Sequence, residues 1–171
     1  MNRKNKFVPL LKYEFLNTMN GFFTPFFGIV LPLVMGIILT QTIPGTVPEN
    51  MAKEVTIGII LTIATMIPMA IMLVSFPSSY AQEVEQKAIY RLSLFGISNR
   101  SLLCAKILIN IMLMTVSIIL YFFVLSMMHD IGAPAASSII VLTLCLYLMA
   151  TIYFVFSFSI ANILKKFGFT Y

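Results

Sequence analysis

The chain has 171 residues, 60% of them hydrophobic and 10% charged, whereas soluble domains contain about 45–50% apolar and about 25% charged residues. This composition excludes a soluble domain, which would expose large apolar patches in water, and it excludes a disordered chain, which needs more polar residues. The net charge of +5 therefore indicates membrane topology rather than nucleic-acid binding. The sequence predicts a membrane protein whose first partner is the lipid bilayer.

An amphipathic segment lies at the N-terminus, within residues 1–21. The stretch FVPLLKYEFLNTMN repeats an apolar side chain every fourth residue from Phe7 to Met19. The polar residues Lys12, Glu14 and Asn17 are expected on the opposite face. Such a stripe predicts a helix lying in the membrane interface, and a simple cytoplasmic lead-in is the alternative.

Four apolar runs follow, and each is near the ~20 residues that a helix needs to cross a ~30 Å hydrocarbon layer. The first run is too long for the apolar core of a signal peptide and has no clear cleavage site after it. Prolines in the first two runs predict kinks, which membrane helices tolerate. We therefore predict one all-α, polytopic transmembrane domain with four spans, at 22–42, 55–76, 103–128 and 137–163.

The positions of the basic residues predict the orientation. Ten of the eleven lysines and arginines precede the first run, lie between the second and third, or follow the fourth, and Lys53 alone lies on the other side. By the positive-inside rule both termini and the 77–102 loop are cytoplasmic, which predicts a multi-pass protein of the cell membrane.

The spans offer little for chemistry. None has an ionisable residue in its central part, which argues against a self-sufficient proton-coupled antiporter. The sequence also lacks a GxxxxGK[ST] phosphate loop, so ATP hydrolysis by that route would need a partner. Cys104 and Cys145 are predicted to be free thiols. His129 and Asp130, in an outer turn without a third partner, are predicted to cap the interface. We predict no catalytic residue, metal site or bound cofactor.

The 77–102 loop is predicted to contain a separate short amphipathic helix. Pro77 is expected to end the second span, and Ser79 with Gln82 forms a capping-box pattern. Glu83 stands four residues before Lys87, the favourable order for a helical ion pair.

The same loop helix is predicted to stop at Gly96, and Ser98 or Asn99 would cap the helix that leads into the third span. The alternative is that this amphipathic segment simply lies on the lipid surface.

The segment EVEQKAIYRLSLFGISNRSLLCAK, from Glu83 to Lys106, resembles the cytoplasmic loop of type 2 ATP-binding-cassette exporter permeases. The positions that carry the resemblance are Glu83 and Glu85, Ile89, Arg91 and Leu92, Ser98, and Ala105 with Lys106. The sequence departs from the family pattern at Lys87-Ala88, where Gly-Thr is usual, and at Gly96, where Pro is common.

The resemblance implies a coupling helix that docks onto a separate cytoplasmic ATPase, which would hold ATP and Mg²⁺. It further implies a second permease subunit, identical or different. Members of the family typically have six spans, so we expect either a truncated chain or a short member that needs another subunit. By the same resemblance, the polar contacts to the ATPase are Glu83, Glu85, Lys87 and Arg91, and the packing face is Val84, Leu92 and Phe95.

Polar residues in the last two spans are candidates for a translocation path, although hydrogen bonding between helices or to their own backbone is the stronger reading. They are Asn110, Thr115 and Ser117 in the third run and Ser157, Ser159 and Asn162 in the fourth. The sequence thus predicts the permease subunit of an ATP-driven exporter of a hydrophobic or amphipathic substrate. The alternative is a small four-span protein without a transport cycle, such as an immunity factor or a holin-like assembly.

Overall fold

The computed structural model describes residues 7–85, 87–129 and 136–167, and every element in these ranges is helical. The prediction of four helices long and apolar enough to cross a membrane is confirmed. The second helix runs beyond the predicted 55–76 at both ends, because its flanking polar residues remain helical. We name these helices the first to fourth spans: Phe26–Thr46, Glu49–Ala81, Asn99–Met128 and Ser137–Ile160.

The first span is built around a π-helical segment. A short helix at Phe23–Pro25 leads into the π segment Phe26–Val30, which is followed by the α-helix Leu31–Thr42 and a 3₁₀ turn at Pro44–Thr46. The π segment lies between Pro25 and Pro32, whose missing backbone donors disturb the regular ladder.

The second span repeats this design. The helix Glu49–Ala64 and a short turn at Met66–Pro68 precede a π segment, Met69–Ser75, and the α-helix Phe76–Glu85. The prediction that Pro77 ends the span is wrong: the proline lies in the helix that directly follows the π segment, and the chain stays helical through Glu85.

The predicted capping box in the same helix is also wrong. Ser79 Oγ donates a hydrogen bond to the carbonyl of Phe76 at 3.0 Å and caps no helix start. The second span therefore continues without a break into the segment that carries Glu83.

The two π segments cross each other against the third span. A Cβ atom added at Gly28 would lie 2.7 Å from Ile71 Cγ1, so only glycine permits this approach without a shift of Ile71. The hydroxyls of Thr24 and Ser75 are hydrogen-bonded, and Ser117 Oγ donates to the carbonyl of Gly28. Polar contacts between backbone and hydroxyls thus join three spans at the crossing.

The N-terminal helix, Phe7–Asn20, packs along the third span. Its buried residues are Leu10, Glu14 and Thr18. The prediction that Glu14 faces away is therefore wrong. The predicted apolar stripe lies on a neighbouring face, where Phe7 is exposed. The reason is that a buried partner for Glu14 on another helix outweighs the apolar stripe.

The fourth span belongs to the helix Ala136–Phe167, which packs on the second span through its π segment and the helix that follows. Of its described side chains, Leu146, Ala150 and Ser157 are buried. Nine of the others are large, apolar and exposed, as expected of a surface against lipid.

Candidate functional site

A buried cluster of charges lies at the end of the bundle where residues 82–98 join the second span to the third, which we call the loop end. Lys106 Nζ lies 3.0 Å from Glu14 Oε2 and 2.7 Å from Glu83 Oε1. Asn17 Nδ2 donates to the same Glu83 oxygen at 2.7 Å. These four residues, the loop-end cluster, come from three elements: the N-terminal helix, the extension of the second span, and the third span.

The local sequence explains why Lys106 reaches this position. The third span begins after Ser98, whose hydroxyl accepts a hydrogen bond from the backbone N–H of Ser101 at 3.2 Å, so the predicted cap is confirmed. Lys106 lies one turn after Leu102 on the same face of the third span, and both residues are buried. An apolar group seals this end of the cluster; its members are Leu10, Leu102 and Ala105, with Leu11, Leu92 and Ile97 packed around them.

The cluster holds two carboxyl groups and one ammonium. The pKa of Glu14 is raised from its ordinary 4.5 to about 7, chiefly by burial; the Lys106 charge opposes this rise and the Glu83 charge adds to it. Burial, followed by the charges of Glu83 and Glu14, also raises the pKa of Tyr13. At neutral pH the Glu14 carboxyl is therefore protonated in part of the molecules. The cluster has one lysine for two acids.

Three carboxylate oxygens of the cluster, Glu14 Oε1, Glu14 Oε2 and Glu83 Oε2, are buried and accept no hydrogen bond from any residue that the structure describes. Of these, Glu14 Oε2 still contacts the Lys106 ammonium as an ion pair at 3.0 Å. Replacing buried charges of this kind by apolar groups is often neutral, whereas removing one partner is strongly destabilising. The cluster therefore fixes how three elements meet rather than serving mainly as a source of stability.

The predicted role of Glu83 needs correction. Its side chain is 3% exposed and pairs with Lys106, so the predicted helical pair with Lys87 and an exposed contact to an ATPase are both wrong. The helix is interrupted because Lys87 adopts the left-handed conformation, with φ of 54°. A separate short helix, Ala88–Leu94, follows, which we call the loop helix.

The loop helix ends as predicted. Gly96 has φ of 74°, and its N–H bonds to the carbonyl of Ser93 while that of Ile97 bonds to Leu92. This is the hydrogen-bonding pattern of a helix C-terminus closed by a left-handed glycine. Two left-handed residues thus bracket the loop helix.

The faces of the loop helix differ in part from the prediction. Leu92 packs inward against the apolar group around Leu102. Phe95, predicted on the packing face, is 73% exposed, and Leu94 is 86% exposed, so the partner of Phe95 on that face stays a prediction. The exposed positions of Lys87 and Arg91 agree with a surface role. The side chains of Val84 and Glu85 lie outside the described part of the structure, so their contacts stay predictions.

The polar residues of the third span make hydrogen bonds rather than line one open path. Asn110 Nδ2 donates to the carbonyl of Lys106 at 2.8 Å, and Thr115 Oγ1 donates to that of Ile111 at 2.8 Å and also bonds to the Tyr147 hydroxyl. Ser117 is buried and bonded to the first span. A pathway role for these residues stays a prediction.

The polar residues of the fourth span are not gathered together. Ser157 is buried, and its hydroxyl has no hydrogen-bond partner among the described residues. Ser159 is exposed and donates to the carbonyl of Val155 at 2.8 Å. The side chain of Asn162 lies outside the described residues.

Sequence reasoning missed three residues that organise the bundle. Glu14 and Asn17 were assigned to an outer face, although a lysine several residues inside an apolar span, Lys106, signals a buried partner. Tyr121, fully buried, donates its hydroxyl to the carbonyl of Ile60 at 3.0 Å and packs against Gly36. No residue pattern in one sequence marked that contact.

At the opposite end of the bundle, His129 Nε2 lies 2.9 Å from Thr40 Oγ1 and links the third span to the first. Asp130 lies outside the described residues. Within the described ranges, no three His, Cys, Asp or Glu side chains are gathered as a metal site would require. Cys104 and Cys145 are free, as predicted, and the structure shows that both are exposed.

No family model matches the chain, and neither curated proteins nor solved structures give a significant match. The structure by itself therefore supports a multi-pass, four-span helical protein with a buried charge cluster at one end.

Proposed function

We propose that this chain is the membrane-spanning permease subunit of an ATP-driven exporter of the type 2 ATP-binding-cassette class. The observation that carries the proposal is the loop helix Ala88–Leu94, a short helix between two left-handed residues that joins the second and third spans. The resemblance of residues 83–106 to the family's coupling loop supports it. The concentration of basic residues at this end supports a cytoplasmic loop, where an ATPase would be accessible.

The exposed face of the loop helix is suited to a protein contact. Tyr90, Leu94 and Phe95 are 56%, 86% and 73% exposed, and Lys87 and Arg91 lie among them. Large apolar and aromatic side chains with neighbouring arginines are typical of the centres of protein interfaces. In this proposal they dock onto the ATPase in place of Glu83.

The loop-end cluster would transmit the movement of the loop helix. Leu92 joins the loop helix to Leu10 and Leu102, while Lys106 joins the second and third spans to the N-terminal helix. A push on the loop helix would thus move three connected elements as one body. The spans offer a hydrophobic or amphipathic substrate an apolar environment, and a second permease subunit completes the transporter.

The test is co-purification of this chain, expressed in its own cell, with a cytoplasmic ATP-binding-cassette ATPase. Leu94→Asp and Phe95→Asp are expected to abolish ATPase capture because a charge replaces the apolar contact. The matched control is Val8→Asp, on the N-terminal helix, where the side chain is 70% exposed at the same end. Capture that survives both loop-helix variants, or no capture by the unaltered protein, would refute the proposal and favour a four-span protein without a transport cycle.

A further inference from the structure

A cavity of about 250 Å³ lies between the second, third and fourth spans at the loop end. Its walls are apolar: Tyr80 comes from the second span, Leu102 and Leu103 from the third, and Phe158 from the fourth. The functional proposal above makes no use of this cavity. Its position at the ends of three spans places it where lipid headgroups meet hydrocarbon.

The polar groups of the cavity are gathered at the first turn of the third span. Asn99 and Arg100 line it there, and both are exposed. Among the residues whose side chains the structure describes, Arg100 makes no ion pair. Lys106 also lines the cavity, but its ammonium is committed to Glu14 and Glu83. Among the described lining residues, the Arg100 guanidinium is therefore the cationic group available to a ligand.

The combination of an arginine with apolar walls restricts the ligand. A guanidinium binds phosphate oxygens through two parallel hydrogen bonds, which a lysine ammonium cannot do. A soluble phosphate would leave the walls formed by Leu103 and Phe158 without a partner. A neutral hydrophobic molecule would leave Arg100 without one. A phospholipid satisfies both, and basic pockets between membrane helices are known lipid sites.

We propose that this cavity binds an anionic phospholipid of the surrounding leaflet. The phosphate pairs with Arg100, and the Asn99 amide donates to the headgroup. The part of the acyl chain nearest the headgroup lies against Leu103 and Phe158. The lipid fills the gap between the spans and fixes the fourth span beside the third. This inference does not rest on the transport proposal, because it needs only that the spans lie in a bilayer.

The experiment is native mass spectrometry of the protein purified from vesicles that contain equal amounts of phosphatidylglycerol and phosphatidylcholine. We expect the unaltered protein to retain phosphatidylglycerol selectively. Loss of a charge-assisted hydrogen bond in Arg100→Gln should lower the retained lipid about tenfold or more. The control Lys12→Gln removes an exposed charge at the same end, outside the cavity, and should retain the lipid.

A second variant separates the cavity from general surface charge. Leu103→Trp fills the cavity and leaves Arg100 in place, and it should also lose the lipid; Leu103→Phe serves if the larger residue prevents folding, as judged by gel filtration. Equal losses in Arg100→Gln and Lys12→Gln would mean surface attraction and would overturn the proposal. So would full retention in the cavity-filling variant, equal retention of both lipids, or displacement by soluble glycerol phosphate at millimolar concentration.

Discussion

The third and fourth spans are almost identical in hydropathy and very different in their surroundings. Both have a mean hydropathy of 2.5 over their most apolar stretch, yet 33% of that stretch is buried in the third span and 11% in the fourth. The third span packs against the N-terminal helix and the first two spans, whereas the fourth packs mainly on the second.

Polar side chains account for the difference. Lys106, Asn110, Ser117 and Tyr121 lie on one face of the third span and are all buried, and three of them bond directly to another element. On the fourth span, Thr151 and Ser159 instead donate to their own backbone. Because lipid is as apolar as leucine, packing and hydrogen bonds rather than hydropathy decide which helix becomes the centre of a membrane bundle.

Removing the Lys106 ammonium should destabilise the protein most, because it breaks the ion pairs that hold the third span at the centre of the bundle. Lys106→Met leaves two buried carboxyl groups without a cation, and loss of one partner from a buried ion pair costs about 3–5 kcal/mol. Equilibrium unfolding in detergent micelles measures the effect, and Lys53→Met, at an exposed position, is the control.

The triple variant Lys106→Met, Glu14→Gln, Glu83→Gln should recover much of that stability, because no buried charge remains. A Lys106→Met protein as stable as the unaltered one would show that the cluster does not hold the third span.

Crowding the contact between the first and third spans should have the next largest effect. A Cβ atom at Gly36 would lie 2.9 Å from Tyr121 Cε2 and 3.2 Å from Leu125 Cδ1. Gly36→Leu should therefore destabilise the bundle by about 1–3 kcal/mol, the usual range for overpacking. Gly58→Leu, at a position with nothing within 4 Å, should be neutral or slightly stabilising in the same unfolding experiment; equal losses at both sites would contradict the packing argument.

The pH dependence of stability tests the proton on Glu14. Burial raises the pKa of Glu14 in the folded protein to about 7 from 4.5, so folding favours the protonated acid. Its contribution to stability is complete below pH 4.5 and is lost as the pH rises through 7, with a slope of at most about 1.4 kcal/mol per pH unit.

Thermal unfolding between about pH 4 and pH 8 should show this decline in the unaltered protein, since that interval spans the unfolded and folded pKa values of Glu14, 4.5 and about 7. It should be flattened in Glu14→Gln and kept in Glu54→Gln, whose side chain is exposed. An unchanged pH profile in Glu14→Gln would exclude Glu14 as the titrating group.

The hydroxyls should give the smallest effect and the finest comparison of the two spans. Ser117→Ala removes a buried bond to the first span, for which about 0.6 kcal/mol is the average in membrane bundles. Ser159→Ala removes only a bond to its own helix and should change unfolding by less than the error of measurement. A larger loss at Ser159 would mean that the fourth span has a partner beyond this chain.

The existence and number of the spans followed from the sequence, because runs of ~20 apolar residues have no other stable place than a bilayer. The Ser98 cap and the Gly96 stop were equally predictable, since each depends only on neighbouring residues. Local signals failed at Pro77 and at the Ser79 capping box, which both lie in a continuous helix, and the failures among the charged residues were non-local. Glu83 was assigned to Lys87, four residues away, whereas its partner Lys106 comes from another helix.

The N-terminal helix fails for the same reason. Its apolar stripe correctly predicts a helix, but hydrophobic periodicity cannot show that Glu14 forms an ion pair with Lys106 of the third span. The π segments were also unforeseen beyond a proline kink, because they depend on how Gly28 and Ile71 meet.

The loop-end cluster also affects the order in which the protein folds during its synthesis. Glu14 leaves the ribosome 92 residues before Lys106 (106 − 14), which at 5–20 residues per second is an interval of roughly 5 to 18 s. During that time the N-terminal helix and the first two spans enter the membrane with their acids unpaired. The third span then arrives with a lysine near its end, where insertion is less costly than at the centre. Lys106 then joins the N-terminal helix and the second span to the third span. Until about two thirds of the chain has been made, the helices of the nascent protein can therefore still rearrange.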